Sequence, residues 1–479
     1  MPTRKIIRGG TIVSPDGTLE ADLIVEGEKV VGIVASAEPG PDDEVIDAAG
    51  LLVLPGIVDA HTHIQLDTGI YQTADNWEIG TKAAAAGGVT TVVDFATQFP
   101  GQTVDEAMDN RLKETKPAII DYGLHCMITD LPHGKEEAML GRLVERGAPS
   151  FKIYTTYRPN YYMDDATILR LMRATREVGG LVMVHAENDA IVTDATERLV
   201  AEGKTGWKYH ADGRPFIAES EAVNRVVYLA MRSVAPLYIV HCTSTFSAFT
   251  INEARQRGGL VYCETCPQYL ILDRRVYDGP HPEHYILQPP LRWNQVYNDD
   301  RGDLWSWLER KLRGKLNRVI DVISTDSCDY TIAQKTEFKE FTKTPGGLPG
   351  VETLLPLIYT YGVCDDRLGF QLPDLVRVLC SNPARIFGLY PRKGALNIGS
   401  DADIALYDPE PEGTISHEDL HYLAGYSPYE GMRVKGRVVT TLSRGEVVYR
   451  HGADDEFAGA RPGRGQFVPG DPFDASLMP

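Results

Sequence analysis

The segment that decides the fold is residues 51–63, which read LLVLPGIVDAHTH. A short apolar run, typical of a buried strand, ends here in two histidines that are separated by one residue. In an extended segment residues two apart point to the same side, so the imidazoles of His61 and His63 can reach one ion. The segment therefore joins a structural signal to a chemical one.

The same pattern repeats along the chain, with apolar runs that end in polar residues and are followed by helical stretches. This alternation is typical of βα units and a parallel sheet. Eight such units, spread over about 330 residues, predict an α/β protein built on a (β/α)8 TIM barrel. The strand candidates are residues 51–60, 90–96, 118–128, 150–155, 180–185, 235–241, 259–264 and 318–325.

Both ends of the chain contain short strands separated by turn residues. We expect residues 1–55 and 391–455 to form one small β-sandwich domain, with the barrel of residues 56–390 inserted between its two parts. Residues 456–479 are rich in Gly, Pro and Asp and predict an irregular C-terminal arm.

Composition excludes several classes of protein. There are 48 Lys and Arg against 67 Asp and Glu, a formal net charge of −19, which argues against nucleic acid as a partner. No apolar run approaches the roughly 18 residues that cross a bilayer, so we expect no membrane partner. The first residues lack the apolar region of a secretory signal, and the seven cysteines are an odd number. Both features favour a cytoplasmic protein with reduced thiols.

Polar residues of one chemical kind fall at the ends of the strand candidates. A lone histidine at such a position is more often a hydrogen-bonded structural group than a ligand, and a lone aspartate can cap a helix. Their conjunction is a different matter, because the carboxyl ends of barrel strands converge on one mouth where barrel enzymes hold their active sites. The residues are His61 and His63 after strand one, His185 after strand five, His241 after strand six and Asp326 after strand eight.

Lys152 lies inside the fourth strand candidate, between apolar and aromatic residues. A buried ammonium tends to lose its proton, and it cannot ligate a divalent metal while it is charged. A neutral amine that captures carbon dioxide becomes an anionic carbamate with two oxygens, which can bridge two cations. The alternative is an ammonium paired with a distant carboxylate, which the four histidines make the weaker interpretation.

Several segments carry a family resemblance that spans almost the whole chain. The sequence resembles the dihydropyrimidinase and hydantoinase family of cyclic amidohydrolases, within the metal-dependent amidohydrolase superfamily. The HxH element at residues 61–63 and the DAD element at residues 401–403 are general to the superfamily. The GTKAAAAGG element at residues 80–88 and the ETCPQYL element at residues 264–270 are specific to this family. The segments are 56–63 GIVDAHTH, 80–91 GTKAAAAGGVTT, 151–154 FKIY, 184–188 VHAEN, 239–241 IVH, 264–270 ETCPQYL, 289–292 PPLR and 401–404 DADI.

The resemblance implies a two-zinc hydrolase of cyclic ureides, either dihydropyrimidines or 5-substituted hydantoins, that forms an N-carbamoyl amino acid. It assigns one zinc to His61, His63, Asp326 and carboxylated Lys152, and the second to His185, His241 and the same carbamate. A hydroxide between the metals would attack the amide, and Asp326 would carry its proton to the departing nitrogen. Tyr157 occupies the position of the tyrosine that stabilises the oxyanion. Relatives are usually homotetramers, so we expect a homo-oligomer.

The chain departs from the family pattern around the expected substrate. Gln288 replaces a serine before the PPLR element, and Gly346 stands where relatives have asparagine; both loops grip the ureide in relatives, mainly through backbone groups. Ser327 follows the metal-binding aspartate in place of histidine. Residues 67–68 replace a Pro-Phe pair, so we expect a more polar or roomier entrance.

Other hypotheses remain open. The chain can be another cyclic amidohydrolase, such as an allantoinase-like enzyme or one acting on an unusual ureide or imide. Dihydroorotase is less favoured because Gln65 stands where that enzyme commonly has an arginine. A non-catalytic scaffold relative of the collapsin-response-mediator type is weaker still, because such relatives lack parts of the metal set that this chain retains.

Overall fold

The computed structural model describes residues 4–292, 300–308, 310–312 and 315–477. Residues 1–3 and 478–479, which the sequence assigns to the small domain and the arm, lie outside the described residues. The strands form two large sheets and one short antiparallel pair. The strands are β1 (Arg4–Ser14), β2 (Gly17–Glu26), β3 (Lys29–Val34), β4 (Glu44–Asp47), β5 (Leu52–Pro55), β6 (Ile57–Thr62), β7 (Val89–Thr97), β8 (Asp121–Met127), β9 (Ser150–Tyr154), β10 (Leu181–His185), β11 (Leu237–Ile239), β12 (Val261–Thr265), β13 (Arg310–Leu312), β14 (Lys315–Asn317), β15 (Val322–Ile323), β16 (Ile404–Thr414), β17 (Arg433–Ser443) and β18 (Glu446–Arg450).

Helices lie between the strands of the central sheet, and several begin at side-chain caps. Asn76 accepts a hydrogen bond from the Ile79 N–H at the start of α1, and Gly179 ends α4 in the left-handed conformation. Every helix among the described residues is too short or too polar to cross a membrane. The helices are α1 (Trp77–Ala86), α2 (Val104–Glu114), α3 (Glu136–Glu145), α4 (Asp165–Val178), α5 (Asp189–Ala201), α6 (His210–Gly213), α7 (Phe216–Ser233), α8 (Thr245–Gln256), α9 (Pro267–Ile271), α10 (Asp300–Leu308), α11 (Ile332–Thr336), α12 (Leu354–Ile358), α13 (Leu372–Val376) and α14 (Asn382–Ile386).

The predicted barrel is confirmed. Eight parallel strands pair in the order β6, β7, β8, β9, β10, β11, β12 and β15. The ring nearly closes where Thr62 bridges Ser327 and the His63 N–H donates to the Ser327 carbonyl at 2.8 Å. The carboxyl ends of all eight strands therefore face the same mouth.

The first strand candidate, residues 51–60, is divided between two sheets. Its first half, β5, pairs with β1 and β16, and its second half, β6, opens the barrel. The chain passes from one sheet to the other at Gly56, where an added Cβ would lie 2.1 Å from Thr90 Oγ1. Only glycine fits this crossing, so the apolar run is continuous in sequence but serves two domains.

The second sheet confirms a small β domain built from both chain ends. It is one mixed sheet in the order β18, β17, β16, β5, β1, β2 and β3, with β4 also paired to β1. The arm after β18 packs against the base of the barrel, where the Tyr122 N–H donates to the Gln466 carbonyl at 3.0 Å and Val468 is buried.

The sixth and eighth barrel strands are shorter than the sequence predicts. Regular pairing ends at Ile239 and Ile323, before His241 and Asp326. Both of these residues adopt positive φ, 39° and 52°, which extended strands do not allow. At these two residues the backbone leaves the strand conformation, and both residues line the cavity at the mouth of the barrel.

Candidate functional site

One cavity of about 250 Å³ opens at the mouth of the barrel. Its lining includes the exposed Asp67 and the half-buried Thr68, together with residues at the ends of the strands. The structure brings every site residue expected from the sequence to this cavity. They are His61, His63, Lys152, Tyr157, His185, His241, Gln288, Asp326 and Gly346.

His61, His63 and Asp326 form the first group of possible ligands. The Nε2 atoms of the two imidazoles lie 3.2 and 3.3 Å from the same oxygen, Asp326 Oδ1. The ligand atoms of one tetrahedral zinc ion are separated by about 3.3 Å, given Zn–N and Zn–O bonds near 2.0–2.1 Å. The three side chains therefore have the spacing of ligands that share a cation.

Glu264 orients the first of these histidines. Its Oε1 lies 2.7 Å from His61 Nδ1, and burial raises the pKa of Glu264 to about 8. In the tautomer in which Nδ1 carries the proton of this bond, Nε2 presents a lone pair toward Asp326. Burial lowers the pKa of His61 well below its ordinary value, so the ring is neutral. Among the described residues, its buried Nε2 has no hydrogen-bond partner. A neutral nitrogen that faces a carboxylate in this way is suited to hold a cation together with it.

His185 and His241 form the second group. Their Nδ1 and Nε2 atoms lie 2.9 Å apart, and His185 Nε2 lies 3.0 Å from Glu187 Oε2. Burial lowers the pKa of His185 to about 4, so one proton remains, on the nitrogen that faces Glu187. The backbone N–H of His241 donates to Glu264 Oε1 at 2.9 Å, which connects the two groups through one carboxylate.

Lys152 lies near both groups. After burial, its charge is among the causes that lower the pKa of His61, His185 and His241. Burial lowers the pKa of Lys152 itself to about 8, so roughly a tenth of the amine is uncharged at pH 7. In the described part of the chain no carboxylate lies within 4.0 Å of its Nζ, which contacts the rings of Phe95 and Tyr154 instead. The paired-ammonium alternative therefore lacks its partner.

Tyr157 is held in a strained backbone conformation beside these groups. Its φ is 72°, a value rare for residues other than glycine, asparagine and aspartate. Burial raises its pKa, so the phenol keeps its proton, and Arg214 Nη2 donates to the phenol oxygen at 3.2 Å. With its oxygen occupied as an acceptor, the phenol O–H is free to donate into the cavity. Tyr157, His241 and Asp326 all carry positive φ, and such strain is typical of functional sites.

Two loops form the wall opposite the histidines. Gln288 and Gly346 contact each other, and a Cβ at Gly346 would lie 1.6 Å from Gln288 Oε1. The glutamine side chain therefore occupies space that the glycine leaves open. The Ser327 hydroxyl accepts a hydrogen bond from the Gly350 N–H at 3.2 Å, so this departure supports the same wall.

Sequence reasoning missed the carboxylates that stand behind the ligands. Glu264 and Glu187 are fully buried. Although burial raises the pKa of Glu187, the guanidinium groups of Arg214 and Arg292 hold it well below its usual range. A signal existed for Glu187, since it stands two residues after His185, directly beyond the strand. Glu264 had a weaker signal, as the first residue of the 264–270 segment.

Comparison with known proteins gives consistent results. The profile of the amidohydrolase family matches residues 52–448. A D-hydantoinase from Streptomyces coelicolor is 38% identical over 478 residues, which are 98% of each chain. A D-phenylhydantoinase from Escherichia coli is 38% identical over 475 residues, 98% of this chain and 99% of the other.

A solved structure shows the same architecture. The crystal structure of dihydropyrimidinase from Brevibacillus agri superposes with a TM-score of 0.92 at 36% sequence identity. The match covers 98% of this chain and 100% of that one, so both the barrel and the sheet of the chain ends are shared.

Proposed function

The chain belongs to the amidohydrolase family, in its hydantoinase and dihydropyrimidinase branch, and we propose that it hydrolyses the ring amide of a cyclic ureide. The substrate would be a dihydropyrimidine or a 5-substituted hydantoin, and the product an N-carbamoyl amino acid. One observation carries the proposal: the buried His61 Nε2 without a hydrogen-bond partner, fixed by Glu264 so that it faces Asp326. This arrangement suits the divalent metal centre of an amidohydrolase.

The residues present fit two cations. His61, His63 and Asp326 would hold one, and His185 and His241 the other. Carbon dioxide captured by the neutral Lys152 amine, with release of a proton, gives a carbamate whose two oxygens can serve both groups. With two zinc ions bound, the site would supply a shared hydroxide as nucleophile near neutral pH and would polarise the substrate carbonyl.

Asp326 is suited to move the proton. Although burial raises its pKa, the neighbouring His61 and His63 lower it below the ordinary value, so the carboxylate is ionised at neutral pH. Its Oδ1 faces the two imidazoles, which leaves the other oxygen to take the proton of the attacking hydroxide. The new C–O bond forms as the ring C–N bond breaks, and the proton passes from Asp326 to the departing nitrogen.

Tyr157 and the two loops of the cavity wall are proposed to bind the substrate. The phenol O–H would donate to the carbonyl oxygen as negative charge develops on it. The backbone groups of the loops at Gln288 and Gly346 would hold the ureide ring in place. By analogy with relatives, we further propose a homotetramer in the cytoplasm.

A substrate panel tests this function. Protein reconstituted with Zn²⁺ and bicarbonate would be incubated with dihydrouracil, hydantoin, 5-substituted hydantoins, allantoin and dihydroorotate, and ring opening followed by chromatography. We expect N-carbamoyl products from dihydrouracil or hydantoins. In Tyr157→Phe, kcat should fall about 10²- to 10³-fold with the fold intact. Turnover of allantoin alone would favour the allantoinase-like alternative, and no turnover of any ureide by metal-loaded protein would refute the proposal.

A further inference from the structure

A second buried lysine lies behind the wall of the cavity. Lys335 belongs to α11 and its side chain is fully buried. It does not reach the cavity, and its role is not explained by the proposed metal groups.

The Lys335 ammonium joins two separate stretches of backbone. Its Nζ donates to the Ile286 carbonyl at 2.7 Å and to the Pro345 carbonyl at 2.9 Å. The same Ile286 carbonyl also accepts from the Gly347 N–H at 3.0 Å. Ile286 directly precedes Leu287, and Pro345 directly precedes Gly346. Both Leu287 and Gly346 line the cavity. The Lys335 side chain thus links the two loops beside a backbone bond that joins them directly.

Packing alone does not account for a lysine at this position. Burying an ammonium is costly unless a counter-charge compensates it, and within the described residues no carboxylate lies within 4.0 Å of Lys335 Nζ. Burial accordingly lowers the pKa of Lys335 to about 7. A methionine would fill nearly the same volume without this penalty. What methionine lacks is the pair of hydrogen bonds, so the bonds to the two loops are the reason for the lysine.

We propose that Lys335 is a positioning residue for substrate binding, which fixes the gap between the 286–288 and 345–348 loops. The inference rests on the proposed function, in which the backbone of these loops holds the ureide ring. Because Lys335 contacts neither the histidines nor Asp326, its loss should weaken binding of the ureide while leaving the metal groups and the chemical step largely unchanged.

The test compares Lys335→Met with wild-type holoenzyme and with Thr336→Ala. Thr336 is on the same short helix but bonds only to carbonyls of its own helix, so its variant is a matched control. For Lys335→Met we expect KM to rise about 10- to 100-fold, since small misplacements of this kind have effects of that size. We expect kcat within about 3-fold of wild type and the same zinc content per chain. Lys335→Gln, which keeps a donor, should recover part of the KM change.

Each other outcome has a defined meaning. An unchanged KM in folded Lys335→Met, or a fall in kcat accompanied by loss of zinc, overturns the positioning role. If Lys335→Met does not fold, the same KM comparison is made with Lys335→Gln. If wild type hydrolyses no ureide, the proposed function fails separately. Loop spacing is then measured by hydrogen exchange of the Gly347 amide, which should accelerate about tenfold in the variant if the tether is real and stay unchanged if it is not.

Discussion

The two ends of the barrel bury a lysine in opposite ways. At the amino end, where the barrel meets the sheet of the chain ends, Lys393 Nζ lies 2.6 Å from Asp121, 2.7 Å from Asp403 and 2.9 Å from Asp401. Despite burial, these carboxylates raise the pKa of Lys393. At the carboxyl end, Lys152 has no such partner among the described residues, and its pKa is lowered. At the amino end, the ion pairs of Lys393 connect the barrel to the sheet of the chain ends. At the carboxyl end, Lys152 lies among the candidate ligands without an ion pair within the described residues.

The largest effect on activity should come from a substitution at the carboxyl end of the barrel, where Lys152 lies. Lys152→Ala removes the group proposed to bridge two cations, so we expect the metal content to fall sharply and kcat/KM to drop about 10³-fold or more. Metal per chain is measured by mass spectrometry after loading with Zn²⁺ and bicarbonate. No ion pair is lost, so the stability of the metal-free protein should fall only by the cost of the cavity that the shorter side chain leaves. An unchanged metal count would contradict the proposed bridge.

A substitution of Lys393 at the amino end of the barrel should lower the free energy of unfolding without changing catalysis. Lys393→Met leaves the buried carboxylates of Asp121, Asp401 and Asp403 without their shared cation, and breaking a buried pair costs about 3–5 kcal/mol. Urea unfolding of the metal-free variant measures this loss. The folded fraction should keep the KM and kcat of wild type. A loss below about 1 kcal/mol would show that the remaining cations, Arg444 at Asp121 and Lys29 and Arg392 at Asp401, supply enough charge.

A smaller effect should follow from the carboxylate that orients the first ligand. Glu264→Gln preserves shape but weakens the bond to His61 Nδ1, so metal affinity or activity should fall about 10- to 100-fold. Competition with a chelator measures the affinity. Tyr238→Phe is the matched control, because it removes only the hydroxyl that donates to Glu264 Oε2 at 2.9 Å. If the two variants behave alike, orientation of His61 is not the role of Glu264.

The smallest effect concerns the entrance. Asp67 lines the cavity but is exposed, and its Oδ1 accepts from the Gly69 N–H at 2.7 Å. An exposed charge interacts weakly, so Asp67→Asn should raise KM for a hydantoin with a cationic 5-substituent about 2- to 5-fold. KM for a neutral hydantoin of the same length should not change. Equal changes for both substrates would mean that the loop, and not its charge, had been altered.

The sequence predicted which residues meet at the cavity better than it predicted the residues behind them. His61 and Asp326 were recognised because each stands at the end of an apolar strand, and strand ends converge in any parallel barrel. Glu264 is also at a strand end, yet its role depends on facing His61, which is 203 residues away in sequence. The sequence placed a domain boundary after residue 55 but still predicted residues 51–60 as one strand, because both halves are equally apolar and no local change in pattern marks the crossing at Gly56.

The chain by itself determined the barrel, the small domain of both ends and the chemical identity of the groups at the mouth, because strand period and residue type are local properties. Only the tertiary structure decided which buried charges are compensated. Lys152 lies inside an apolar strand candidate, but the sequence around Lys335 and Lys393 gives no sign that either is buried. Among the described residues, Lys152 has no ion-pair partner, Lys335 bonds two carbonyls, and Lys393 pairs with three carboxylates. One partner of Lys335, Ile286, is 49 residues away in sequence, and one partner of Lys393, Asp121, is 272 residues away. Packing brings those residues together, and the resulting burial and pairing set each charge.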